Sequence, residues 1–346
     1  MPVDRQSIPR PVFRNLRVFA VDPGMTARFE TAVMNETTLR IPWEELDAGP
    51  SGEYILVVDE NESGTTLHPP VDLDAPEVLA QDGLLPSDMD GRREPPAGSP
   101  NYFVGTMDDD GPYGAPFDAI NVFQYWVSWG SDPTAAFFQS AQLKVAKFDS
   151  SFPCDVPPEN RDCIPQPGTA NKLDILSYRQ RPTWRLAYRN FGGHQALVTN
   201  QSVQASPGMA GVRWYELRRP GADPFIYQQG TYAPNDGIHR WMGSIAMDKM
   251  GNAALGYSVS SATVFPGIRY TGRLKKDPKG QMTVAEGVIV NGSGSQLGPS
   301  SRWGDYTSMT VDPKDDCTFW YVNEYYQTSS AIGWNTRIGS FRLPGC

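Results

Sequence analysis

Arg240-Trp241-Met242-Gly243-Ser244-Ile245-Ala246-Met247-Asp248 runs into Gly251-Asn252-Ala253-Ala254-Leu255-Gly256-Tyr257. That is a strand, an aspartate, a tight turn and a second strand. The same order recurs in Arg302-Trp303-Gly304-Asp305-Tyr306-Thr307-Ser308-Met309-Thr310-Val311-Asp312, followed by Asp315-Asp316-Cys317-Thr318-Phe319-Trp320-Tyr321. Asp248 and Asp312 hold equivalent places in the two copies. A third copy reads Trp184-Arg185-Leu186-Ala187-Tyr188-Arg189-Asn190, the turn Gly192-Gly193, then Ala196-Leu197-Val198-Thr199. Here Asn190 takes the place of the aspartate, and it precedes Asp248 by nearly the interval that separates Asp248 from Asp312. A third strand follows each pair, at Gly211–Leu217, Gly267–Gly272 and Thr336–Phe341. Its arginine, Arg213, Arg269 or Arg337, follows the Asn or Asp at an almost constant spacing. A fourth strand follows two copies, at Pro224–Tyr227 and from Met282 to Val290.

Four antiparallel strands repeated at a regular period predict an all-β chain, a β-propeller with four-stranded antiparallel blades. The Asp or Asn has a structural use in that frame. Its side chain accepts backbone N–H bonds and starts the turn between the first two strands. Gly251-Asn252 supplies the turn's positive-φ positions.

Composition agrees. The chain has 346 residues with 33 Gly and 31 Pro, which suits many turns and excludes a helical bundle. Nine Trp, 15 Tyr and 15 Phe provide apolar area for a large core. A net charge of −9 argues against a nucleic-acid partner, and no apolar run is long enough to predict a membrane span. Upstream, Asn101–Thr106 and Ala119–Trp126 read as two strands of another blade, with Ala135–Phe138 and Gln142–Val145 as its edge. Leu16–Gly24, Phe29–Val33, Leu39–Pro42 and Glu53–Val58 form a less regular β-rich front. The expected division is 1–95, a divergent blade or separate module plus a linker in 82–100, and 96–346, the propeller. The blade count is four or five. The last blade lacks a fourth strand after Phe341, and Val12 to Val21 is a candidate to close the ring.

The cysteines at 154, 163, 317 and 346 allow three pairings. Cys154–Cys163 would close a Pro-rich loop, and Cys317–Cys346 would tie the last residue to a strand. Disulfides imply a secreted or extracytoplasmic protein, although no signal peptide opens this chain; the alternative is free thiols in a cytoplasmic protein. The sequons at Asn35, Asn61, Asn200 and Asn291 matter only in a glycosylating host.

Several strings carry a family likeness: Asn101-Tyr102-Phe103-Val104-Gly105, Cys163-Ile164-Pro165-Gln166-Pro167-Gly168, Arg181 through Phe191, Arg302-Trp303-Gly304-Asp305-Tyr306 and Asp316-Cys317-Thr318-Phe319-Trp320-Tyr321. On these, residues 98–346 resemble exported bacterial β-propeller proteins of the sialidase-like superfamily, most of them without an assigned activity. The Ser-x-Asp-x-Gly-x-Thr-Trp turns of sialidases do not occur here.

In a propeller the loops entering each innermost strand open on one face, where ligands usually sit. That face collects Arg181, His239, Arg240, Trp241, Arg302, Trp303 and Asp305, with Glu324, Tyr325 and Tyr326 from a neighbouring loop. The resemblance implies a use for Arg181, Arg240 and Arg302, because sialidases hold a sugar carboxylate with three arginines. Guanidinium offers the planar fork for it. Glu324 beside Tyr325 would then act as a base-assisted tyrosine nucleophile. Asp305 and Glu324 form the other arrangement, a carboxyl pair for glycoside hydrolysis. Against both stands a plain architectural reading. Arg-Trp pairs repeated in each blade stack as contacts between blades, Asp305 bonds turn backbone, and Glu324 is solvated.

Asp108-Asp109-Asp110-Gly111 with Asp118 offers oxygen ligands suited to Ca²⁺, without EF-hand spacing. His68, His194 and His239 match no zinc pattern. No phosphate loop or Gly-x-Ser-x-Gly elbow occurs. The sequence therefore leads to an exported propeller that binds a glycan or a protein surface. A glycoside hydrolase acting on an acidic sugar is the alternative.

Overall fold

In the computed structural model, residues 15–21, 34–35, 38–39, 53–59, 83–111, 114–128, 134–150, 162–175 and 181–346 are described. The chain divides into two compact units, Met1–Asp74 with Val127–Ala136, and Ala75–Trp126 with Phe137–Cys346. In the first, β1 (Asn15–Val21) pairs antiparallel with β4 (Glu53–Asp59), and β2 (Met34–Asn35) with β3 (Thr38–Leu39). The expected strand at 29–33 lies outside the described residues, as does most of the N-terminal segment.

The second unit is a β-propeller. Its first blade is β5 (Leu85–Asp90), β6 (Asn101–Met107), β7 (Ala119–Ser128) and β8 (Thr134–Lys144), the ends of β7 and β8 within 127–136 being grouped with the first unit. A short pair, β9 (Asp162–Ile164) and β10 (Leu173–Asp174), follows. The second blade is β11 (Thr183–Asn190), β12 (Gln195–Ser206), β13 (Met209–Arg218) and β14 (Phe225–Tyr232). The third is β15 (His239–Met247), β16 (Ala253–Ser260), β17 (Gly267–Arg273) and β18 (Val284–Val290). The last is β19 (Ser308–Val311), β20 (Thr318–Tyr326) and β21 (Trp334–Arg342).

The repeats land in register. Arg213, Arg269 and Arg337 stand opposite Gln201, Tyr257 and Asn323 of the preceding strands. Two placements differ from expectation. Residues 85–90, inside the stretch expected as a linker, form the innermost strand of the first blade. Strand periodicity could not show this, because Pro86 and two aspartates mask it. β5 pairs in parallel with β11, Leu186 opposite Ser87 through Arg189 opposite Asp90, so the first two blades share one eight-stranded sheet. Among the described residues the last sheet keeps three strands.

Three apolar layers separate the four blades. Val104, Val122, Leu186, Tyr188 and Leu217 lie between the first and second. Val198, Trp214, Ile245, Leu255 and Tyr257 lie between the second and third. Ala246, Ile268, Met309, Phe319 and Tyr321 lie between the third and last. A strand packed on both faces reads as a continuous apolar run, not an alternating one. β15 and β16 show this, since every residue of both is buried. Glycines permit the closest approaches: a Cβ on Gly256 would stand 2.6 Å from the Tyr321 ring.

The Asp/Asn turns form as the repeat requires. Asp248 Oδ1 accepts Met250 N–H and Asn252 N–H at 2.8 and 2.9 Å, and its Oδ2 accepts the Asn252 amide at 2.8 Å. Gly251 takes φ 86°. Asp312 accepts Lys314 N–H, and Asn190 accepts Gly192 N–H. Cys317 and Cys346 are bonded, Cα–Cα 5.6 Å, closing the C-terminus on the start of β20. Cys163 is also disulfide-bonded, and its expected partner Cys154 lies outside the described residues.

Truncating Asp248 strips acceptors from three donors in a buried turn. Asp248→Ala is expected to lower unfolding free energy by about 2–4 kcal/mol, read from urea midpoints at constant m. Asp248→Asn, which keeps one acceptor oxygen as Asn190 does, should lose less than half of that. Equal losses would show that the acceptor geometry is not what matters.

Candidate functional site

The entry face holds the sequence-derived candidates, and they separate into three groups. The first is apolar. Trp241, Met242, Trp303 and Tyr326 form one buried cluster with Ile164, Leu173, Ile175 and Ala210. The indoles of Trp241 and Trp303 lie 6.3 Å apart, and Trp303 stacks on Tyr326 at 5.9 Å. The β9–β10 hairpin covers them. Hydrogen bonds fasten it: Gln166 amide to Gln296 O at 3.1 Å, Gln296 N–H to Gln166 Oε1 at 2.7 Å, and Ser260 hydroxyl to Pro165 O at 2.8 Å. Ser301 donates to Asp162, and Asp174 N–H donates to Ser301 O. Uncovering a third of three rings of about 200 Å² each would expose ~200 Å² and cost ~5 kcal/mol. These rings are therefore part of the core. Sequence reasoning missed the hairpin because its polar residues look like loop, and only the Ile164, Leu173 and Ile175 alternation hints at a buried side.

The second group is ionic. Arg240 is 1% exposed and bonds inside its own blade. Its Nε and Nη2 donate to Glu286 on β18, and its Nη1 and Nη2 to Asp236. Arg269 and the Tyr257 hydroxyl also reach Glu286, at 2.6 and 2.9 Å. Burial pushes the Glu286 carboxyl up, but these donors more than offset it and hold it below its usual range. Hydrogen bonds from Arg240 do the same for Asp236. The structure thus directs Arg240 to Asp236 and Glu286. Arg302 lies elsewhere, paired with Asp305, and Arg181 is half-buried at the entrance to β11. His239 is neutral: burial first, then Lys172, lowers it to about 4.

The third group is the rim of the last blade. Here Arg302 pairs with Asp305, and Glu324 reaches the backbone of Gly304 between Trp303 and Asp305. Arg302 is half-exposed and ion-paired with Asp305 across one turn. Glu324 Oε1 accepts Gly304 N–H at 2.8 Å. Gly304 needs its φ of 73°, and a Cβ there would stand 2.8 Å from Met242 Cβ. Tyr306 is 91% exposed, which no sequence signal indicated, while Tyr325 is half-buried behind Glu324. Beneath, Trp303 Nε1 and the Asn323 amide both donate to Ser258 Oγ, at 3.0 and 2.9 Å. Burial raises the Glu324 carboxyl above its usual value, opposed by the Gly304 N–H. An acid that holds its proton more tightly, beside an ion-paired carboxylate, can donate a hydrogen bond or a proton to an oxygen ligand.

The Arg-Trp repeat is not equivalent between blades. Trp184 is 41% exposed and donates from Nε1 to Ser308 Oγ, whereas Trp241 and Trp303 are buried. Of the acidic loop, Asp108, Asp109 and Asp118 place one oxygen each within 4.8 Å of one another. That spacing suits a cation. However, Asp108 already accepts Asp110 N–H and Ser150 N–H, and Asp118 accepts Asp109 N–H and Phe148 N–H. Ca²⁺ needs six to eight oxygens. These bonds tie 145–150 to the β6–β7 turn, while Asp109 Oδ1 is buried without a hydrogen-bond partner, so the triad could hold a cation but offers fewer oxygens than Ca²⁺ takes. Asp110 joins only through its backbone.

No protein-family model matches the chain, and no curated protein does. Among solved structures it is similar to a GH43 endo-arabinanase from Bacillus licheniformis at 15% identity and TM-score 0.33, covering 75% of this chain and 73% of that one. It is also similar to a Penicillium chrysogenum α-L-arabinanase complexed with arabinobiose, at 9% identity and TM-score 0.30, covering 71% and 72%. A Dyadobacter fermentans protein of unknown function gives 10% identity and TM-score 0.29, covering 73% and 75%.

The Glu324 shift has a sign that can be checked. The folded pKa lies above the unfolded one, so the folded state holds the extra proton between them. Stability from the neutral form is present below the unfolded value and is lost as pH rises through the folded value. Glu324→Gln keeps the acceptor oxygen and removes the charge. It should melt higher than the parent at pH 7 and at the same temperature at pH 4. A lower melting temperature at pH 7 would contradict this environment.

Proposed function

We propose that the protein is an exported propeller that binds a glycan at the rim of its last blade, through Arg302, Asp305, Tyr306 and Glu324. One observation carries the reading: an ion-paired guanidinium, a half-buried carboxyl that burial pushes above its usual range, and an almost fully exposed tyrosine ring share one turn and its neighbouring strand. A sugar needs that mixture of forked donors, acceptors and an aromatic face. Export is supported by the Cys317–Cys346 bond and by the bonded state of Cys163. Among the described residues no helix is long and apolar enough to cross a membrane.

A second reading, glycoside hydrolysis, is favoured by Glu324 itself. A carboxylic acid whose pKa is raised by burial is the group that protonates a leaving glycosidic oxygen, with Asp305 as the second carboxyl. Tyr325 lies next in sequence to Glu324.

A panel of neutral and acidic oligosaccharides and their chromogenic glycosides separates the two. The binding reading expects saturable binding without turnover, weakened at least tenfold by Tyr306→Ala and little changed by Glu324→Gln. Turnover that Glu324→Gln reduces by about 10² or more would establish the hydrolase. No binding to any sugar, with capture of a protein partner that Tyr306→Ala abolishes, would overturn both.

A further inference from the structure

The opposite end of the propeller axis carries a feature that neither reading uses. There the four innermost strands exit into their first turns, and each blade delivers charge to one cavity of about 480 Å³. The first blade supplies Arg92 and Arg93 after β5, the second Arg189 at the end of β11, the third Lys249 after β15, and the last Asp316 after β19. Four cations face one carboxylate, a local excess of three positive charges on a chain whose net charge is −9.

The single carboxylate is already taken. Arg189 is buried and holds Asp316 with both terminal nitrogens, at 2.9 and 2.6 Å. Its buried Nε has no hydrogen-bond partner. Arg92 donates only to the Lys314 carbonyl at 2.6 Å, and Lys249 only to the Asp315 carbonyl at 3.0 Å. Arg93 lies over Gly192, where an added Cβ would stand 3.0 Å from its guanidinium carbon. Among the described residues none of Arg92, Arg93 and Lys249 is ion-paired. Surface cations normally spread to lower mutual repulsion. Here the chain folds three unpaired ones around one concavity, with Asn190 on the wall.

We propose that this cavity binds a small oxyanion carrying two or more negative charges, a phosphate, a sulfate or a polycarboxylate. Such a ligand fits for two reasons. The guanidinium forks of Arg92 and Arg93 match the paired oxygens of these groups. Lys249 adds a mobile point charge from a separate blade, so the ligand would bridge turns of the first and third blades. The site is independent of the glycan reading, being built from other residues at the other end of the axis.

Calorimetric titration of the full chain at low ionic strength with inorganic phosphate, sulfate and citrate, each separately, tests this. One saturable site is expected for at least one of them. The affinity should fall at least tenfold in the double variant Arg93→Ala/Lys249→Ala, and fall with added NaCl. Both residues are exposed, so the variant should keep its melting temperature. Lys147→Ala, beside Asp109, should bind like the parent. Tight phosphate and sulfate binding with weak citrate binding would mark a tetrahedral anion, and the reverse a polycarboxylate. No saturable binding by any of the three would overturn the site. Binding unchanged in the double variant, or lost equally in Lys147→Ala, would do the same.

Discussion

Arg185 is the residue on which the rest of the propeller unit depends. It is 2% exposed on β11, beside the axis. Its Nε donates to Asp88 at 2.7 Å, its two terminal nitrogens to Asp90 at 2.9 and 2.7 Å, and Nη1 also to the Met309 carbonyl at 3.1 Å. One side chain thereby joins innermost strands of three blades. A buried guanidinium is tolerated only when its donors are matched, and removing one partner of such a set costs about 3–5 kcal/mol. The position of β5 follows from it. That strand is short, pairs with β6 at only two described positions, and carries the two aspartates that Arg185 requires. The parallel backbone ladder to β11 and the ionic fork together hold β5 in place.

From that centre the two ends of the axis diverge in chemistry. At the strand entrances, aromatic rings fill the space and a hairpin covers them, so the polar rim of the last blade is what solvent meets. At the strand exits, charges fill the space and remain wet. Blade geometry alone does not dictate this difference. It comes from which residues each loop brings: apolar side chains from β9–β10 at one end, arginine and lysine from the first turns at the other. Each of the three interfaces carries a buried apolar layer, and the polar chemistry gathers at the two ends.

Much of the fold was legible in the sequence because the repeat carries its own turn chemistry. Asp248, Asp312 and Asn190 each start the turn they were expected to start, and Arg213, Arg269 and Arg337 fall in one register. What escaped was non-local. β5 has no strand periodicity, and its partner Arg185 lies 95 residues from Asp90. The hairpin at 162–175 is recognised only by what lies beneath it. The candidate site was legible in part. Arg302 pairs with Asp305, and Glu324 takes the Gly304 N–H beside them, because these residues belong to one blade and short-range order places them. Arg240 was grouped with Arg302 by its Arg-Trp context, yet Glu286, 46 residues on, draws it away. Sequence spacing shows that two residues occupy similar positions in a repeat. It does not show which acid each will find.

If the Arg185–Asp90 pair organises the axis, a double-mutant cycle across it will show strong coupling. Unfolding free energies would be measured for the parent, Arg185→Met, Asp90→Leu and the double variant. Each single change is expected to cost about 3–5 kcal/mol, and the double variant to recover a large share of the combined loss, because the buried guanidinium and the buried Asp90 are then both gone and the Asp88 left behind is part-exposed to water. Single losses below about 1 kcal/mol, adding without coupling, would contradict it.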